Sequence, residues 1–362
     1  MSGEFPDPLR MRDGSPIATA AEWRERRRPE LLELFQRHMY GFFPPAPVTG
    51  APNVVRSESF LGGRAMRKDV RVPLGPPGAP TLNLMVLTPR GRRSPLFLGI
   101  NFGGNEVEVL APEGVRKNTW SVERTLARGY AVASFHAADV DPDRDDFTDG
   151  VHPWHRPAGS GAERGPTEWG TLAAWAWGLS RALDYLEHDP DVDARRIAVV
   201  GHSRMGKAAL LAAAFDERAA LAIPSQSGCG GAAPSRTTVG ETVALINKNF
   251  PHWFCTAFRA YNDTPERLPF DQHELLALIA PRPVLLCNAV EDEWANPAGQ
   301  FEMLRAAAPV WRLLGKEGLR ADRMPPSGKL LDGDLGYFIR PGAHAMSPVE
   351  WAAYLDFADR HR

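Results

Sequence analysis

Short apolar runs bounded by turn residues alternate along this chain with longer amphipathic stretches, the pattern of strands interleaved with helices. Ala21 to Tyr40 is periodic and charged on one face, which predicts a helix, and the Pro-rich stretch Gly41 to Pro52 ends it. Ala65 to Val72 and Leu82 to Thr88 predict two antiparallel strands placed before the main sheet. Buried strands are predicted at Pro95–Ile100, Tyr130–Phe135, Ile197–Val200, Ala219–Pro224 and Pro283–Ala289, and helices at Thr171–His188, Lys207–Phe215 and Ser347–His361. This order predicts a mostly parallel sheet with helices on both faces. The chain reads as one α/β unit over 1–362, with an N-terminal lead-in over 1–60. A segment over about 231–272 reads as an insertion that shapes a cleft.

The most informative run is Arg196 to Phe215. Between the β-branched strand Ile197–Val200 and the Ala/Leu-rich helix there is room only for a sharp turn carrying Ser203. A serine at a strand–turn–helix junction is the nucleophile elbow of the α/β-hydrolase sandwich, with its hydroxyl above the sheet and a helix N-terminus behind it. The usual elbow is G-x-S-x-G. Gly201 fits, but Met205 stands two after the serine and the glycine follows at Gly206.

A serine hydroxyl needs a histidine base, and the base needs a carboxylate to fix its tautomer. In this fold the chain order is serine, acid, histidine. Of the ten histidines only His252, His273, His344 and His361 follow Ser203. His361 is one residue from the end of the sequence. His252 and His273 fall in or just after the insertion, as cleft or packing residues. His344 follows the short apolar strand Tyr337–Ile339 and precedes the last helix, where the fold delivers its base. The acid should follow the strand Pro283–Ala289, where Glu291, Asp292 and Glu293 stand together; Asp292 is the first choice and Glu291 the second.

Composition excludes other classes. The formal net charge is -2, so no basic surface for nucleic acid is indicated. Arg26, Arg27 and Arg28 are interspersed with glutamates and read as a solvated helix face. No apolar run is long enough to span a membrane. Met1 to Arg10 lacks an apolar signal core, which leaves a cytosolic location or a signal already removed. Cys229, Cys255 and Cys287 permit one disulfide at most, Cys229–Cys255, or inert core thiols, and none has zinc-site spacing. The acidic run Asp139 to Asp146 lacks the glycine and glutamate of an EF-hand loop and reads as a turn at the cleft edge. Neither a metal nor a cofactor is expected, and a monomer is. Trp175, Trp177 and Trp253 are assigned to the core.

Gly201 to Lys207, Gly-His-Ser-Arg-Met-Gly-Lys, resembles the G-[CH]-S-R-x-G-K elbow of the glucuronoyl esterases, carbohydrate esterase family fifteen, of the bacterial type, displaced glycine included. Phe5–Leu9, Asn101–Asn105, Asp139–Asp143 with Gly150–His152, Ser227–Gly231, Trp294–Pro297 and Gly342–Ala345 resemble further runs of that family, in order along nearly the whole chain. The resemblance implies a serine esterase acting on the ester between 4-O-methyl-glucuronic acid of glucuronoxylan and a lignin alcohol, with a secreted or periplasmic location. It implies Ser203 as nucleophile, His344 as base and Arg204 as oxyanion partner through both N–H and guanidinium. Lys207, Trp294 and Glu241 would meet the sugar. Many members place the triad acid where this chain has Gln226, a neutral amide; others take it from the later loop, where Asp292 stands. Gln226 then counts among the substrate-binding residues. His202 replaces the cysteine that forms a disulfide beside the nucleophile in fungal members. Two other readings are an acetyl-xylan type of serine esterase and a catalytically idle carbohydrate-binding member.

Overall fold

Successive residues of a strand point to opposite faces, so a strand covered on both sides must be apolar at every position. Ser94 to Asn101 is buried throughout, and its interior, Pro95 to Ile100, obeys this rule. In a computed structural model, describing residues 5–47, 50–113, 115, 119–156 and 163–361, it is one of ten strands in a single sheet. They are β1 (Asn53–Phe60), β2 (Ala65–Pro73), β3 (Thr81–Pro89), β4 (Ser94–Asn101), β5 (Ala131–His136), β6 (Val192–His202), β7 (Leu221–Ser225), β8 (Val284–Ala289), β9 (Leu331–Asp332) and β10 (Leu335–Arg340). The order is β1-β2-β3-β5-β4-β6-β7-β8-β10-β9. From β5 to β10 the neighbours run parallel; the pairs β1–β2, β2–β3, β3–β5 and β10–β9 are antiparallel.

The period-two alternation divides the interior into two cores. Leu96, Leu98, Val199 and Leu286 face the helical run over 20–40 and the helices Thr171–Leu186, Arg204–Phe215, Gln272–Ala277 and Pro297–Leu313. Phe97, Val200, Leu285 and Cys287 face Val122–Ala127 and Pro348–Arg360. The strands so covered end along one edge, where β4, β6, β8 and β10 deliver the loops that carry the chemistry.

Several elements differ from the sequence reading. β2 and β3 are antiparallel as expected, but they extend the main sheet, because β3 pairs with β5 through Met85–Ser134, Val86–Ala133 and Leu87–Val132. β1 was not foreseen: it is an edge strand whose residues are exposed from Asn53 to Ser59, so no buried face imprints an alternation. The helix Pro297–Leu313 was also not foreseen, since Gly299 and Pro309 interrupt its pattern. Burial of Phe301, Leu304 and Trp311 holds it. The first helical run includes two π turns, Trp23–Arg27 and Gln36–Tyr40. Pro29 lacks the N–H that would close an ordinary turn on the first of them. Cys229, Cys255 and Cys287 are free and buried, so the pairing Cys229–Cys255 is not formed. Burial pushes the Cys229 thiol up to about 12 and that of Cys255 to about 11, which makes both inert. Among the described residues no helix is long and apolar enough to cross a membrane.

Candidate active site

Ser203 joins β6 to the helix Arg204–Phe215 with φ 59° and ψ -126°, a strained conformation for a side chain-bearing residue. Backbone crowding dictates the glycines around it. A Cβ at Gly201 would stand 2.1 Å from the Met205 carbonyl oxygen, and one at Gly206 would stand 2.8 Å from that of Ser225 on β7. The second approach explains the displaced glycine: the helix leans on β7 at Gly206, while Met205 lines the cavity beside the serine. The Ser203 N–H donates to the Ser225 carbonyl at 3.0 Å, tying the elbow to the sheet.

His344 lies in the loop after β10. Its Nδ1 is 2.6 Å from Asp292 Oδ2, and the carboxylate fixes the ring so that Nε2 is the nitrogen left for proton transfer. Asp292 is buried, whereas Glu291 is exposed. Ser203 and His344 line one cavity of about 200 Å³, walled by Phe102, Trp120 and Met346. The His202 ring packs on that of His344, with centroids 4.5 Å apart.

Gln226 holds this loop and does not face the cleft. Its Nε2 donates to the Ala345 carbonyl at 2.6 Å and its Oε1 accepts from the Ala345 N–H at 3.1 Å. Nε2 also lies 3.3 Å from Glu350 Oε1. Arg340 completes the clamp, donating to the carbonyls of Ala343 (3.1 Å) and Ala345 (2.8 Å) and pairing with Glu350. Both ends of the Gln226 amide, expected to meet substrate, are engaged here by the backbone beside the histidine.

Arg204 is boxed by aromatic faces. Its guanidinium carbon is 5.1 Å from the ring centre of Phe102, 5.4 Å from Phe250 and 5.1 Å from Trp253. Arg204 Nη1 pairs with Asp143 Oδ2. Asp143 Oδ1 accepts from His252 Nε2 at 2.8 Å and from Trp253 Nε1 at 2.7 Å. Burial pushes the Asp143 carboxyl up, but these two hydrogen bonds and the charge of Arg204 outweigh it and hold the group below its ordinary value. The loop after β4 offers no competing anion site. Its Phe102 and Gly103 N–H groups donate to Glu108 Oε2 at 3.0 and 2.7 Å. Arg204 opens its helix, where a backbone N–H has no intrahelical partner.

Lys207, one turn further along the same helix, is buried. Its Nζ donates to the carbonyls of Ser227 (2.5 Å) and Cys229 (2.6 Å), leaving one of three donors. Burial lowers its pKa, opposed most strongly by the charge of Glu241. Burial raises that of Glu241, opposed most strongly by Lys207. The Glu241 N–H donates to the Trp294 carbonyl at 3.1 Å. Trp294 itself is 52% exposed and borders an open apolar groove of about 870 Å³ with Val239, Val290 and Met324.

Asp143 is the site residue that sequence reasoning missed; His252 and Trp253, read as a cleft or packing residue and a core residue, both donate to it. Asp143 stood in the acidic run read as a cleft-edge turn, and Trp253 was assigned to the core. The other carboxylates of that run are dispersed: Asp139 accepts from Asn83 at 3.0 Å, and Asp141 lies 3.1 Å from His152 Nε2. Among the described residues no three His, Cys, Asp or Glu side chains gather as a metal-holding group.

A covered, mostly parallel sheet with a strained serine elbow at the end of β6 defines an α/β-hydrolase. The family model for fungal glucuronyl esterase matches residues 88–315. A curated relative, Carbohydrate esterase MZ0003 of an unknown prokaryotic organism, is 42% identical over 99% of this chain and 89% of its own length. The 4-O-methyl-glucuronoyl methylesterase of Phanerochaete carnosa is 30% identical over 86% of this chain and 72% of its own. Among solved structures, the glucuronoyl esterase from Solibacter usitatus superposes with a TM-score of 0.92 at 37% identity, covering 100% of this chain and 98% of that one. A promiscuous CE15 esterase from the marine bacterial metagenome gives 0.89 at 41% identity, covering 99% and 97%. The chain belongs to the glucuronoyl esterase family, carbohydrate esterase family 15, and is a carboxylic ester hydrolase.

Proposed function

We propose that this esterase cleaves the ester between 4-O-methyl-glucuronic acid of glucuronoxylan and a lignin alcohol, by two-step acyl transfer on Ser203. The observation that carries the reading is one constellation. A serine held at φ 59° shares a cavity with His344, whose Nδ1 lies 2.6 Å from the buried Asp292. His344 Nε2 takes the Ser203 proton as Oγ attacks the ester carbonyl, then gives it to the leaving alcohol oxygen. His344 next takes a proton from water, which attacks the acyl-enzyme; the ester bond to Ser203 breaks, its Oγ regains a proton, and glucuronic acid leaves. Asp292 stays ionised and orients the ring. The tetrahedral oxyanion is stabilised by the Arg204 N–H and guanidinium, since the amides after β4 are engaged by Glu108. Lys207, with one donor left, and Glu241, through its carboxyl oxygens, meet sugar hydroxyls; Trp294 borders the ring.

The test is hydrolysis of benzyl glucuronate beside 4-nitrophenyl acetate by wild type and Ser203→Ala. Ser203→Ala is expected to fold and to lose turnover by roughly a millionfold; near-normal rates in it would sink the assignment. A second reading has one observation behind it. The neighbour at 41% identity is described as a promiscuous esterase, so activity on acetate at rates comparable to glucuronate would make this chain a general esterase on the same triad.

A further inference from the structure

A charged side chain that stabilises an oxyanion helps only if it is already in place when the charge develops. Arg204 reaches the site on a flexible stem, so something must hold it. The aromatic faces of Phe102, Phe250 and Trp253 confine the guanidinium without fixing its rotation about the stem. Asp143 supplies the direction. One of its oxygens pairs with Arg204 Nη1, and the other is itself fixed by His252 Nε2 at 2.8 Å and Trp253 Nε1 at 2.7 Å. The carboxylate side chain is 9% exposed and that of His252 7%, so water does not compete strongly for either. Two donors on one oxygen leave the other for the arginine, and both donors come from a chain segment more than a hundred residues from Asp143. Such a sequestered, doubly anchored acid beside a catalytic cation is built to orient it.

We infer that Asp143 is a positioning residue for the oxyanion-binding Arg204, acting through the guanidinium and supported by His252 and Trp253. This rests on the role proposed for Arg204. Asp143 does not touch substrate. It trades part of the guanidinium charge for a fixed orientation of the remaining N–H groups toward Ser203, and the orientation dominates.

The test is a double-mutant cycle on benzyl glucuronate with Asp143→Asn, Arg204→Ala and both together, with melting temperatures recorded for each. Removing one oxyanion donor costs about a hundredfold to a thousandfold in kcat, and loosening it costs less. Asp143→Asn is therefore expected to lower kcat roughly tenfold to a hundredfold, with KM changed less than about threefold. In the Arg204→Ala background the same change should cost less than about twofold. An equal loss in both backgrounds, or an unchanged kcat in Asp143→Asn, overturns the inference. An unaltered kcat in Arg204→Ala overturns the oxyanion assignment instead, and this inference with it. If Asp143→Asn does not fold, Trp253→Phe removes one anchor and keeps the ring. It should lower kcat severalfold at constant KM, and a normal kcat would overturn the proposal.

Discussion

Glu291 and Asp292 are adjacent carboxylates in opposite surroundings. Asp292 is buried against His344 Nδ1 at 2.6 Å; Glu291 is exposed. A triad acid works by stabilising the imidazolium and holding its tautomer, and only the buried group can do either. Asp292→Ala is expected to lower kcat by about a thousandfold or more, and Glu291→Ala to change it less than about twofold, in steady-state assays on benzyl glucuronate. Comparable losses in both would show that the loop, and not Asp292, is what matters. Ser203, His344 and Asp292 were legible as candidates because each sits in a local context that the fold repeats: an elbow, a loop before the last helix, an acid after a strand. Asp143 was not, because its partners Arg204 and His252 lie 61 and 109 residues away and its own neighbourhood is a run of aspartates.

The loop between β10 and the last helix carries His344, the proposed base, and Gln226, directly after β7, pins it. The amide works because its two ends differ: Nε2 meets the Ala345 carbonyl and Oε1 meets the Ala345 N–H. A carboxylate at this position would keep the second bond. It would turn the first into repulsion, with the oxygen of Glu350 already nearby. Gln226→Glu is therefore expected to lower kcat at least tenfold and to lower the melting temperature. A rise in activity, or rescue of Asp292→Ala by Gln226→Glu, would show that position 226 can serve as triad acid. The strands and helices that lead to this loop were readable from apolar periodicity. β1 and the helix Pro297–Leu313 were not, since the first buries no face and the second is interrupted by Gly299 and Pro309. Tertiary packing overrides local preference in both.

Across the whole molecule, the N-terminal lead-in is fastened by groups that only burial could leave uncharged or paired. Arg27, in the first helical run, pairs with the buried Glu274 of the helix Gln272–Ala277, and the next residue back, His273, donates Nε2–H to the Pro6 carbonyl at 2.8 Å. Burial drives the His273 pKa from 6.5 down to about 4, with the charge of Asp271 opposing it. The sign follows from linkage. Between pH 6.5 and about 4 the unfolded chain binds a proton at this residue and the folded chain does not, so the stabilisation is complete above pH 6.5 and is lost as pH falls through that window. A shift of this size corresponds to about 3 kcal/mol between the two ends of the window. Glutamine keeps an N–H donor for Pro6 and cannot titrate. His273→Gln is therefore expected to show a flatter decline of melting temperature from pH 6.5 to 4 than wild type, whatever its stability at neutral pH. Parallel curves across that range would mean that His273 protonates in the folded protein much as it does in the unfolded chain, and that the lead-in is held by the Arg27–Glu274 pair and by packing alone.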